Sequence, residues 1–196
     1  MEFYTMWKYS NPLVIACATS LLIGCGGGSS SSNPASGATT ETGVFLDEAV
    51  ANIGYRTSTL EGVTDTQGRY EYIEGETVTF FIGDLEFPPV TASGIVTPLD
   101  MAGTEDTSNP TVVNIIRLLQ SIDEDGNPSN GITITETAKN NATQIDFDVG
   151  VSDFSSSTAV TTFIANSGSV NTTIISETEA IAHFEKTLID SGEVFL

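Results

Sequence analysis

The chain has 196 residues and carries 26 acidic against 6 basic side chains, a net charge of -20. A surface that acidic repels phosphate backbones and anionic headgroups, which excludes nucleic-acid binding and electrostatic docking on a membrane. Such charge serves either to keep a surface highly solvated or to gather carboxylates around divalent cations. At 39% apolar residues, the sequence has the means for one real core or two small ones.

The first elements in chain order are those of a secretory leader. Lys8 is its thin positive region, an apolar run follows from Leu13 to Gly24, and small residues come next. That run is too short to cross a bilayer, which takes about 20 apolar residues. Its end, Leu22-Ile23-Gly24-Cys25, resembles the lipobox of bacterial lipoproteins. The resemblance implies that residues 1–24 are a signal peptide, that the chain is cut before Cys25, and that this cysteine is acylated. Gly26 stands where an aspartate favours inner-membrane retention, so the resemblance points to the outer membrane, facing the periplasm or the cell surface. Each buried CH₂ of a lipid contributes about 0.8 kcal/mol, so the several chains of a lipoprotein hold it firmly. Cleavage removes one acid, Glu2, and one base, Lys8, and leaves the net charge unchanged. Cys17 departs with the leader, so no disulfide forms and burial alone must stabilise the fold. The other reading is an ordinary secreted protein in which Cys25 is a lone thiol.

Residues 25–42 read as a flexible tether, because GGGSSSSNPASGATTET is nearly devoid of apolar side chains. A coil of that length spans roughly 20 to 25 Å. From Gly43 to Val96 the apolar period is mostly two, as in Val78, Phe80 and Ile82, and turn residues recur at short intervals. This predicts antiparallel strands, with Asp65-Thr66-Gln67-Gly68, Glu74-Gly75-Glu76 and Gly83-Asp84 as turns and Pro88-Pro89 closing the last strand or forcing it to an edge. The stretch Gly62-Val63-Thr64-Asp65-Thr66-Gln67-Gly68-Arg69-Tyr70-Glu71-Tyr72 resembles the hairpin of carboxypeptidase regulatory-like, prealbumin-like modules. That resemblance covers about residues 43–87 and implies a β-sandwich scaffold without catalytic residues.

After Thr97 the pattern becomes helical. Asn109 is placed to cap a helix with Pro110 in its first turn, and apolar residues at 112, 113, 115, 116, 118, 119 and 122 leave only Asn114, Arg117 and Ser121 as a polar stripe. Such a helix is largely buried, and Arg117 on it needs a carboxylate partner. Residues 156–165 suggest a weaker helix, and Ser176 with Glu179 forms a capping box ahead of the last one. The chain thus reads as α+β, an antiparallel β-sandwich over residues 43–96 followed by a helical region over 97–196 packed on it. The whole succession, from the lipobox through Ile95-Val96-Thr97-Pro98-Leu99-Asp100 to the last helix, resembles a group of lipoproteins from marine gammaproteobacteria to which no activity is assigned.

Catalytic patterns are scarce. His183 is the one histidine in the sequence, it falls inside a helix, and no G-x-S-x-G elbow accompanies it. With Cys25 acylated, a zinc site built from histidine and cysteine is excluded by count. A carboxylate pair working as acid and base stays open, since two need only meet in space. Between Asp123 and Gly131, oxygen side chains recur at Asp123, Asp125, Asn127 and Ser129, as in the first half of a Ca²⁺ loop. Pro128 departs from the EF-hand pattern where glycine is usual, Ile134 stands where a bidentate glutamate closes the shell, and Glu136 reaches that place only after rearrangement. The other reading is a helix end with Gly126 as its cap, followed by Asn127-Pro128 and Asn130-Gly131 turns. The functional expectation is a membrane-anchored, non-catalytic envelope module that binds an envelope protein or a carbohydrate. The alternatives are a calcium-stabilised surface protein and a small carboxylate-dependent hydrolase.

Overall fold

A computed structural model describes residues 39–193. The expected signal peptide, the lipidation residue Cys25 and most of the expected tether lie outside the described residues. Ten strands and six helices follow in order: β1 Thr40–Phe45, β2 Val50–Ala51, β3 Gly54–Arg56, β4 Glu61–Val63, β5 Arg69–Ile73, β6 Thr77–Ile82, β7 Leu85–Glu86, β8 Val90–Thr91 and β9 Ile95–Val96 come first. Then come α1 Pro98–Ala102, α2 Pro110–Ser121, β10 Ile132–Thr133, α3 Glu136–Asn141, α4 Val151–Ser156, α5 Thr158–Ala165 and α6 Glu177–Ser191. The α+β class read from the sequence is the observed one, with helices gathered in the C-terminal half.

Period-two patterning explains the strands. On β5, Tyr70 and Tyr72 are buried while Arg69 and Glu71 are exposed, and on β6, Val78, Phe80 and Ile82 point inward. One sheet runs β5-β1-β9, a second runs β4-β3-β6-β7 with β8 also on β6, and a two-stranded ribbon joins β2 to β10. The two larger sheets meet through stacked Phe45 and Phe80, whose centroids are 4.4 Å apart, with Tyr70 edge-on to Phe80 at 5.2 Å. The aromatic chain continues through Phe87 to Phe147 and Phe154, so strands and helices share one core.

Three features depart from the expected arrangement. First, β1 begins at Thr40, within the stretch read as tether, and pairs Thr40, Glu41 and Thr42 with Ile73, Tyr72 and Glu71. Their side chains are exposed. A ladder is bonded through the backbone, so a composition without apolar residues does not forbid it. Second, two pairings are parallel, β1 with β9 and β2 with β10. Third, β10 comes from the helical half and completes a ribbon with the strand half, so the division at residue 97 does not separate two cores.

Helices α2 and α6 begin where their caps predict. The Asn109 side chain accepts from Thr111 N–H ahead of Pro110, and Ser176 and Glu179 form the reciprocal capping box of α6. Residues Thr97 and Asp100 do the same for α1. The faces of α1, α2 and α6 close a second apolar cluster of Leu99, Val112, Ile116, Ala180, Phe184 and Leu188. Among the described residues no helix is long and apolar enough to cross a membrane.

Even the polar stripe of α2 is buried. The Asn114 amide donates to the carbonyls of Phe147 and Val149, and Ser121 Oγ accepts from Ile175 N–H. Arg117, 7% exposed, donates from Nε to the Ile175 carbonyl rather than to the carboxylate that its burial suggested. Glu177 acts on it through space.

Candidate functional site

The residues with oxygen side chains after α2 occupy a loop pinned from three sides. Ile122 ends the helix by donating to the carbonyls of Leu118 and Leu119, and Asp123 then forms an antiparallel bridge with Ile134 just beyond β10. From the far side, Ser169 Oγ donates to the Asp123 carbonyl and Val170 N–H to that of Glu124. Gly126 has a φ of 70°, and a Cβ there would lie 2.7 Å from Val170 Cγ2, so the turn requires glycine.

Two of the four sequence-derived site residues come together. Asp123 is 2% exposed; its Oδ1 accepts from Thr133 N–H at 2.9 Å, and its Oδ2 meets no donor group. Asp125 is exposed, with Oδ1 accepting from Asn127 N–H and Oδ2 from the Asn130 amide, both at 2.9 Å. A cavity of about 260 Å³ is lined by Asp123, Glu124, Asp125, Asn130 and Thr133. The Asn127 and Ser129 side chains are not in that lining; Asn127 contributes its backbone N–H, and Ser129 lies exposed in the 3₁₀ turn Pro128–Asn130. Asn130 and Thr133 take their places. The first was readable only as a turn residue, and the second arrives through the pairing of β10, which no local signal announces.

The Asp123 carboxyl is pushed up to about 6, by burial first and then by the hydrogen bond and charge of the facing Asp125 carboxylate, against the opposing bond from Thr133 N–H. Asp125 moves down, held first by the Asn130 amide and the Asn127 N–H. Among the described residues no three His, Cys, Asp or Glu side chains converge as a metal-binding group. Asp123 and Asp125 face each other as a pair, and Glu124 also lines the cavity.

A second polar node lies under α6. Asp47, fully buried in the turn after β1, accepts at Oδ1 from Gln120 Nε2, which also donates to the Ala180 carbonyl. Asp47 Oδ2, His183 Nε2 and Thr187 Oγ1 are buried without partners. Burial drives the Asp47 carboxyl well above its ordinary value and the His183 imidazole below its own. The His183 ring is otherwise half-buried.

The third feature is a groove of about 490 Å³ between the β7–β8 edge and residues 144–148. Phe87 and Phe147, stacked at 5.1 Å and almost wholly buried, form its floor. Glu86, Gln144, Asp146 and Asp148 stand exposed on its rim.

No protein-family model matches the chain, and no curated protein or solved structure shows significant similarity to it.

Proposed function

We propose that the protein is a lipid-anchored envelope protein of the outer membrane, whose folded body acts as a non-catalytic binding or structural module. The observation that carries this reading is the junction Leu22-Ile23-Gly24-Cys25 at the end of an apolar run too short to span a bilayer. The described body starts at Thr40, so the Gly/Ser-rich residues after Cys25 link the anchor to the first strand. Support for a non-catalytic role comes from the chemistry of the body. Nε2 of its histidine is enclosed, and Asp123 and Asp125 are braced by backbone N–H groups and an amide. The surface assigned to a partner is the groove beside β7 and β8, where rim carboxylates and an amide oxygen accept from the hydroxyl or amino groups of an envelope carbohydrate or protein.

Labelled palmitate tests the anchor. The wild type incorporates label and fractionates with membranes; Cys25→Ser does neither, since acylation needs the thiol. Label retained by Cys25→Ser, or an unlabelled and wholly soluble wild type, overturns the reading.

A further inference from the structure

The cavity between the end of α2 and β10 holds more negative charge than its surroundings balance. Three of its five lining residues are acids and none is a base. None of the four ion pairs among the described residues involves Asp123, Glu124 or Asp125. Asp123 is the decisive member, because it is 2% exposed, one of its oxygens accepts from Thr133 N–H, and the other meets no donor while its carboxyl faces that of Asp125. A buried carboxylate oxygen without a partner is costly, and a second carboxylate on the same wall adds repulsion. A hard cation relieves both at once, since Ca²⁺-class ions prefer carboxylate, amide and water oxygens.

We propose that this cavity binds a hard divalent cation of the Ca²⁺ class, held directly by Asp123 Oδ2 and the Asp125 carboxylate, with water completing the shell. Glu124 contributes charge from the wall, and the Asn130 amide fixes Asp125. The site departs from the EF-hand pattern that the sequence suggested, since Asn127 and Ser129 supply no side-chain oxygen and β10 supplies the closing wall. Two direct carboxylates make it a weak site, in the range of roughly 10⁻⁴ to 10⁻³ M found in extracellular modules. Its effect is structural. The cation joins the Asp123–Gly131 loop to the end of α2, and through Ser169 and Val170 to the turn after α5. The proposal does not depend on the lipid anchor.

Thermal melting of the full chain in detergent tests it, comparing CaCl₂ with EDTA in NaCl of equal ionic strength. At a cation concentration ten times Kd, the expected rise in Tm is roughly 3 to 6 °C. Asp125→Asn, an exposed change that keeps one acceptor oxygen, abolishes the rise, as does Asp123→Asn. Glu41→Gln, an exposed acid on β1, leaves it intact. An unchanged wild-type Tm, an equal rise in NaCl alone, or a rise that survives in Asp125→Asn each overturns the proposal. Because Asp125 is exposed, its variant keeps the test decisive even where Asp123→Asn fails to fold.

Discussion

At the level of single residues, burial rather than sequence neighbourhood sets the chemistry. Asp47 is an ordinary acid in a Leu-Asp-Glu-Ala string, yet it sits fully enclosed beneath α6, and its carboxyl is raised well above its ordinary value by desolvation first, with Glu48 adding to it and the Gln120 bond opposing. The sign of the pH effect follows. A carboxyl whose folded pKa lies above its unfolded value contributes stability that is complete below the unfolded pKa and is lost as pH rises through the folded one. Asp47→Asn keeps the acceptor for Gln120 and removes this titration. The variant is therefore expected to melt above the wild type at pH 7, with the gap closing toward pH 4; His183, Glu48 and Lys186, the other titratable groups around the node, are common to both proteins. Circular dichroism melts across that range check it, and a wild type that melts above Asp47→Asn at pH 7 refutes the assignment. Asp123 carries the same lesson. Its place in an alternating string of oxygen residues was legible, but its burial and the partnership of Thr133 were not.

Helices were the most legible elements, because a cap and a 3.6-residue period are local properties. Ser176 and Glu179 announce α6, and Ser176→Ala is expected to cost about 1 kcal/mol by freeing the Glu179 N–H. Phe184, fully buried against α1 and α2, carries far more: Phe184→Ala should cost about 3 to 5 kcal/mol through lost burial and the cavity it leaves. Urea melts of the two variants should therefore differ several-fold in the stability lost. If they lose equal amounts, α6 is held by its own helical propensity and not by packing. For α2 the apolar pattern announced burial but not what the narrow polar stripe meets. Asn114, Arg117 and Ser121, and Gln120 that the stripe left out, are all enclosed and bonded to other segments, mostly to backbone groups. The identity of a buried polar partner depends on which loop passes overhead, and that is information of long range.

For the whole molecule, the boundaries between parts were the least legible. Composition ended the tether at Thr42, but the ladder with β5 reaches Thr40. A chain beginning at Thr39 should therefore melt with the full-length protein. One beginning at Gly43 loses three paired residues and should be weaker by about 1 to 2 kcal/mol. Equal melting of the two would return Thr40, Glu41 and Thr42 to the tether. Short stretches of sequence were enough to set the α+β class, the starts of α2 and α6 and the two-residue period of β5 and β6, because each is written in residues adjacent along the chain. Folding in three dimensions was needed to bring β10 across to β2, to extend the aromatic core of the strands through Phe147 and Phe154, and to strip Asp123 of its water while it faces Asp125. Those outcomes rest on contacts between segments distant in sequence, where burial and the closure of long loops, rather than local propensity, select the partner.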